Sequence, residues 1–353
     1  MTRLRRSDYM HWAKNQPPVR YNLASSEVAH PSLDGLPIRI ADLELDGASR
    51  HRYPPLRQAI ADKEGVPPEC VVMANGTSMA NMLALAALVD PGDELLVETP
   101  VYEPMVATAR FLGAEIRRFE RRHEDGFRLD PAAVAAATTP RTRLILITNL
   151  HNPSGAYADE ATLAEIGALG PHILVDEVYR DAVPGSRSAL HLGPRFVVTN
   201  SLTKVYGLSG LRCGWILAEP EVAERMWRLN ELFGVAQPHA DERLACIALS
   251  HLYSLAAGTP ALLERNRATV AEFIAGRPEI DWTPTRHGIT IFPRLAKGDV
   301  DSLHARLLAH HDTSIVPGRW FERPDHFRLG LGAPTPLLQA GLERLGLALD
   351  ETT

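Results

Sequence analysis

Leu144-Ile145-Leu146-Ile147 runs into Thr148-Asn149-Leu150-His151-Asn152-Pro153-Ser154-Gly155, and after an intervening segment Ile173-Leu174-Val175 runs into Asp176-Glu177-Val178-Tyr179. Each half starts as a short aliphatic run, the composition of a strand buried on both faces of a sheet, and ends abruptly in polar residues. Between them, Asp159 to Leu169 carries helical spacing. A strand, a helix and a second fully apolar strand make a crossover unit of a parallel sheet. Working outward, the same alternation extends from about Arg57 to Leu249. Upstream lie a helix over Ala74 to Val89, a turn at Asp90-Pro91-Gly92-Asp93, a buried strand at Glu94 to Val97, a helix over Pro104 to Leu112, a strand over Ala114 to Phe119, and a helix over Asp130 to Ala137 opened by an Asp-Pro pair. Downstream come strands at Phe196 to Val198 and Gly214 to Leu217, a helix over Pro220 to Phe233, and helical character from Asp241 to Arg277. Beyond that the chain breaks into Pro/Gly-punctuated strands at Gly288 to Pro293 and Phe327 to Leu331 around a helix at Val300 to His311. The pattern predicts an α/β protein. A large three-layer α/β/α domain with a mostly parallel sheet spans residues 41–255, and a smaller α+β domain is built from residues 1–40 and 256–353.

The chain has 353 residues, 45% hydrophobic and 23% charged, enough apolar mass for these two cores and incompatible with a disordered chain. Its net charge of −6 offers no broad basic field for nucleic acid or anionic lipid. The one basic run, Arg117, Arg118, Arg121 and Arg122, reads as a solvated face. Three cysteines (Cys70, Cys213, Cys246) without ligand spacing argue against a disulfide framework or a metal site. The opening MTRLRRSDYMHWAKNQPP is charged and has no apolar centre, and no stretch approaches membrane-span length. These features predict a cytoplasmic protein with small-molecule partners, no nucleic acid and no membrane.

In open α/β sheets ligands gather where the strands end. After Val71-Val72-Met73, the residues Ala74-Asn75-Gly76-Thr77-Ser78 bring hydroxyls and free backbone N–H groups to a helix start, an arrangement suited to phosphate and equally to plain helix capping. Asp176 ends a buried strand and needs a positive or proton-bearing partner. Lys204, in Thr199-Asn200-Ser201-Leu202-Thr203-Lys204, lies between an apolar strand and an apolar loop, where a lysine can lose its proton and attack a carbonyl.

The ordered set NGTS, PVYEP, NLHNPSG, VDEVYRD, SLTKVYGLSGLRCGW and FRLGLG, spread from about Tyr53 to Gly330, resembles the class I/II aminotransferases, pyridoxal-phosphate enzymes of fold type I. The resemblance implies a cofactor, pyridoxal 5′-phosphate, held by Lys204 as a Schiff base, with the same lysine moving the proton at Cα. It implies Asp176 on the pyridine nitrogen, Asn152 and Tyr179 on the phenolic oxygen, and Tyr102 stacked on the ring. Gly76, Thr77, Ser78, Ser201 and Arg212 match the phosphate cup. Arg328 matches the clamp for the substrate α-carboxylate, with Asn152 beside it. Tyr53 matches a tyrosine that reaches the phosphate of a neighbouring subunit, which implies a homodimer with shared sites. The implied activity is transfer of the amino group of an α-amino acid to a 2-oxo acid. C–S lyases, racemases and synthases share the fold and the opening steps. Three departures stand out: Tyr53-Pro54-Pro55-Leu56-Arg57 is a shortened form of the family's usual stretch, Thr203 replaces a commoner serine, and Asn22-Leu23-Ala24-Ser25-Ser26-Glu27 replaces a glycine-containing loop over the substrate. If that loop points inward, Glu27 favours a donor with a cationic or hydrogen-bond-donating side chain. A non-enzymatic effector-binding module is disfavoured because no helix-turn-helix segment precedes the fold in this sequence. A dinucleotide-binding dehydrogenase is disfavoured because no GxGxxG follows the first strand.

Overall fold

The computed structural model describes residues 5–351 apart from 34, 35, 46, 47 and 49. Its centre is a seven-stranded sheet. The strands are β1 (Val71–Asn75), β2 (Glu94–Thr99), β3 (Glu115–Glu120), β4 (Thr142–Thr148), β5 (His172–Asp176), β6 (Phe196–Ser201) and β7 (Cys213–Leu217), in the order β1-β7-β6-β5-β4-β2-β3. Only β7 runs antiparallel to its neighbours. The aliphatic runs are buried as expected of a sheet covered on both faces: Leu144 to Ile147 and Ile173 to Val175 are each inaccessible to solvent. The edge strand β3 is instead charged and mostly exposed, which discourages pairing with another chain.

Helices start where local chemistry allows. Asp130 accepts a hydrogen bond from the Ala132 N–H at the head of Pro131–Ala137, and Asp159 caps Glu160–Gly167 through the Thr162 N–H. The helix expected from Ala74 begins at Gly76, because Ala74 and Asn75 are still in register with Gly214 and Cys213. The long helical stretch expected over Asp241 to Arg277 is three helices, His239–Ser250, Leu252–Ala256 and Thr259–Ala275, broken at His251 and again at Gly258.

A second core gathers Leu23 and Val28 with Leu329, Leu331, Leu338 and Leu342. Tyr21–Asn22 pairs in parallel with Thr313–Ser314, so the start of the chain joins the last third. The strand Phe327–Gly330 lies antiparallel between Thr290–Ile291 and Val316–Pro317.

The arginine run needs correction. Arg122 is exposed, but Arg121 is 1% exposed and pairs at 2.9 Å with Glu98, which is wholly buried. Arg121 follows the last residue of β3, where the chain turns inward and its N–H bonds to the Thr99 carbonyl. Arg118 also folds back, donating to the Glu98 carbonyl and pairing with Glu322. Among the described residues no single helix is long and apolar enough to cross a membrane, and no three His, Cys, Asp or Glu side chains cluster as metal ligands.

Candidate active site

The parallel strands deliver their last residues to one edge of the sheet: Asn75 and Gly76 after β1, Asp176 at the end of β5, Ser201 at the end of β6. Because β7 is antiparallel, its first residue lies at that same edge, and Cys213 pairs with Asn75 while Gly214 pairs with Ser201. Arg212 is thereby set against the start of helix Gly76–Leu88. A side chain at Gly76, where φ is +77°, would meet the Arg212 guanidinium at 2.4 Å, and one at Gly214 would strike the Gly76 backbone at 2.5 Å. Two glycines thus make the space in which a guanidinium lies over free helix N–H groups, with the Thr77 hydroxyl donating to Ser201 Oγ at 2.8 Å beside it. Such an arrangement has the donors and the charge that suit a phosphate dianion.

Asp176 forms the floor. Its Oδ2 accepts from Asn81 Nδ2 at 2.9 Å and its Oδ1 from the Val178 N–H at 3.1 Å. Asn81 is itself fixed by the Thr199 hydroxyl, which donates to its Oδ1 at 2.6 Å. Burial pushes the Asp176 carboxyl up to about 6 in spite of these two donors. Among the described residues no cation pairs with it. Lys204 Nζ donates to Ser26 Oγ at 3.1 Å, and burial brings its ammonium down to about 8, opposed by the charge of Glu27. The Tyr179 phenol is 3% exposed and burial pushes it up to about 12, so it stays a proton donor.

Arg328 is 2% exposed. Its Nη1 donates to Asn152 Oδ1 at 3.0 Å and its Nη2 to the Tyr9 hydroxyl at 3.2 Å and the Ala24 carbonyl at 3.1 Å, while its buried Nε has no partner. Tyr9 meets Tyr102 edge to face, ring centres 5.6 Å apart. Burial raises the Tyr102 phenol far above its usual range, which makes Tyr102 an aromatic wall rather than a base.

A cavity of about 520 Å³ is lined by Lys204, Asp176, Tyr179, Tyr102, Asn152 and Arg212, with Thr77 and Ser78 at the cup. Gly76 and Ser201 support that cup from beneath, and Arg328 lines an adjoining cavity of about 500 Å³ that shares Lys204, Ser26 and Glu27 with the first. Tyr53 lines neither. Its ring is 1% exposed within its own chain, edge-on to His239, and its hydroxyl accepts from Arg243 Nη1 at 2.8 Å. The Arg243 bond uses a lone pair of the phenol oxygen and leaves its O–H to donate elsewhere, so this arrangement is compatible with Tyr53 serving the phosphate of a neighbouring subunit.

Sequence reasoning missed Asn81 and Tyr9, and it placed Ser26 in the loop over the substrate without naming Lys204 as its partner. Asn81 was detectable as a lone amide inside the apolar helix ANGTSMANMLALAALV. Tyr9 carries no local signal, since only the packing of the first thirty residues onto the end of the chain brings it to Arg328.

A phosphate cup, an amine of lowered basicity, an aromatic wall and a buried carboxylate lacking a cation suit one flat, protonated, phosphorylated heteroaromatic aldehyde. The fold around them is that of the fold type I enzymes. The chain belongs to the aminotransferase class I and II family, whose model matches residues 7–345, and that family is PLP-dependent. It is 37% identical over 300 residues to capreomycidine synthase of Streptomyces vinaceus, covering 81% of this chain and 76% of that one. Among solved structures it is similar to a PLP-dependent aminotransferase from Streptococcus suis, with TM-score 0.92 and 26% identity over 100% of this chain and 99% of the other. It is also similar to the PLP-dependent cyclase OrfR, with TM-score 0.89 and 27% identity over 100% and 99%.

Proposed function

We propose that the protein is a PLP-dependent aminotransferase that moves the amino group of an α-amino acid to a 2-oxo acid, with Lys204 as its attachment and proton-transfer residue. The observation that carries this reading is that Lys204 and Asp176 face one cavity from the ends of adjacent strands while Arg328 waits beside it with an unpartnered Nε. When bound, the cofactor supplies an electron sink for the pair left at Cα. The rest falls to the chain. Arg212, the Thr77 hydroxyl and the N–H groups of the helix start hold the phosphate. Asp176 keeps a proton on the ring nitrogen, and ionises without penalty once that cation faces it. Asn152 and Tyr179 hold the phenolic oxygen, and Tyr102 covers the ring. Arg328 grips the α-carboxylate in a bidentate pair, using the donor that has no partner in the free site. With the cofactor bound, Lys204 Nζ would carry the proton between Cα and the cofactor's aldehyde carbon, C4′, a task suited to an amine whose basicity burial has lowered. We assign these residues to a large cofactor-binding domain over 41–255 and a small domain formed by 1–40 and 256–353, working as a homodimer.

A second reading is supported by the likeness to a synthase and a cyclase: the same Cα deprotonation followed by departure of a substituent and its replacement by a nucleophile of the same substrate, with the amine retained. Incubation of the holoenzyme with single amino acids, followed by mass spectrometry of product and cofactor, separates the two. Transamination yields a 2-oxo acid and an aminated cofactor in equal amounts. A product that keeps its amine, with the cofactor returned unchanged, overturns the first reading in favour of the second.

A further inference from the structure

The cavity wall carries two charged side chains with no role in the scheme above, Lys14 and Glu27. Among the described residues neither forms an ion pair. They differ in how they are held. Lys14 is exposed on the last turn of the helix Asp8–Lys14, with its head free to remain in water. Glu27 is half-buried on a loop fastened on both sides. The Val28 N–H donates to the Lys204 carbonyl at 2.9 Å, the Ala29 N–H to the Gly332 carbonyl at 2.8 Å, and the Gly330 N–H to the Leu23 carbonyl at 2.8 Å. The backbones are pressed so closely that a side chain at Gly330 would lie 1.7 Å from the Ser25 carbonyl oxygen, and one at Gly332 would lie 2.1 Å from that of Glu27. The loop is therefore fixed relative to Lys204 on one side and to the strand bearing Arg328 on the other.

The second cavity, about 500 Å³, opens from the first across Lys204, Ser26 and Glu27 and continues past Arg328 toward Trp12, Gln16 and Asn22. With the α-carboxylate on Arg328 and Cα at Lys204, a substrate side chain has this chamber to occupy. Its charged lining consists of Lys14, Lys204, Arg328 and one carboxylate, Glu27. We infer that Glu27 selects the substrate, and that the substrate is an α-amino acid whose side chain ends in a cation, a guanidinium or a primary ammonium. A partly desolvated carboxylate carried on a fixed backbone, with Lys204 as its charged neighbour but no ion pair among the described residues, discriminates by charge more strongly than an exposed lysine on a flexible stem, because water screens the lysine and its rotamers dilute it. This rests on the proposed function for the position of Cα.

The test compares arginine, lysine, citrulline, glutamine and glutamate with the holoenzyme, measuring both kcat/KM and equilibrium binding. Citrulline has nearly the shape of arginine without the charge, so the arginine-to-citrulline ratio isolates the contribution of Glu27. The ratio also cancels any effect of Glu27 on the basicity of Lys204, which both substrates share. The parent should prefer arginine or lysine over their neutral counterparts by at least about tenfold, and Glu27→Gln should reduce that ratio about tenfold, whatever happens to the absolute rates. Glu27→Asp, which keeps the charge, should restore part of it, and Lys14→Gln should leave it standing. Whether arginine or lysine leads tells a guanidinium site from an ammonium site. A parent that prefers glutamate, or a ratio unmoved by Glu27→Gln, overturns the inference. Cation-selective binding that Glu27→Gln abolishes, without amino transfer to any acceptor, supports the inference and removes the transamination reading instead.

Discussion

Asp176 and Glu177 are neighbours at the end of β5, and both are buried, yet they belong to opposite kinds of site. Glu177 turns away from the cavity into a network in which every charge has a partner. Arg180 Nη1 donates to Glu177 at 2.9 Å and to Glu64 at 2.8 Å, Arg180 Nη2 to Asp181 at 2.7 Å, and Lys63 Nζ to Asp181 at 2.8 Å and to Glu64 at 2.9 Å. Against the cost of burial, Lys63 and Arg180 hold the Asp181 carboxyl well below the usual carboxylate range. Burial pushes Glu177 itself up to about 7, against the pull of Arg180 and the Ala189 N–H, and pushes Asp176 up to about 6. What separates the neighbours is the partner: Glu177 faces a guanidinium, whereas Asp176 accepts from an amide and a backbone N–H and, among the described residues, pairs with no cation. Charges buried with partners mark structure; charges buried without them mark the place a ligand must complete.

The largest effect expected on the unpaired side comes from Lys204→Ala. Turnover should fall by at least about a thousandfold, since both attachment and proton transfer are lost, while the unfolding midpoint changes little. Single-turnover kinetics on the variant, with a denaturation curve alongside, check both halves of that statement.

On the paired side the expectation reverses. Arg180→Met leaves Lys63 to Glu64 and Asp181 and takes from Glu177 the guanidinium it pairs with, and should destabilise the chain by about 3–5 kcal/mol while turnover per folded molecule stays within a few-fold. Denaturant unfolding reads the first, and activity normalised to folded protein the second. A loss below about 1 kcal/mol would erase the distinction between the two regions.

Asp176→Asn joins the two halves, because the same residue should be a burden to the empty protein and a necessity to the loaded one. An acid whose folded-state pKa is raised binds its proton more tightly when folded, so its penalty appears as pH rises from about 4 through 6 and is complete above that. Removing an ionisation shifted from 3.8 to about 6 should raise cofactor-free stability at pH 8 by up to about 3 kcal/mol, with no gain at pH 4. Activity should drop at least about a hundredfold, because an amide cannot hold the pyridine proton. Unfolding curves of parent and variant at the two pH values decide the stability half.

The smallest expected effect is that of Tyr53→Phe. Because Tyr53 lines neither cavity within its own chain and its hydroxyl accepts from Arg243, cofactor dissociation should change less than about threefold and stability by about 1 kcal/mol. A tenfold loss of cofactor from the variant would show that the hydroxyl serves a neighbouring subunit in the assembled protein.

Most of the candidate site, as the set of residues that meet at the cavity, was legible because its signals are local. An aliphatic run that stops at Asp176, a glycine and hydroxyl group at a helix start, and a lysine between apolar segments each declare themselves within a few residues. Asn81 was equally local and was passed over because the helix around it reads as core. Arg121 misled for the opposite reason: four arginines in six positions look like a solvated face, and only the inward turn after β3 sends one of them to Glu98.

By itself, then, the sequence determined the parallel strands, the order of the loops at their ends and the chemistry those loops bring, since burial of short apolar runs and the polarity that ends them are properties of neighbouring residues. The tertiary structure alone decided that Tyr9 and Ala24 hold Arg328, that Ser26 meets Lys204, that Tyr53 accepts from Arg243, and that Glu27 stands unpaired in the substrate chamber. Those contacts join the first thirty residues to segments far along the chain, and their geometry follows from how two cores pack against each other, which no local run of residues encodes.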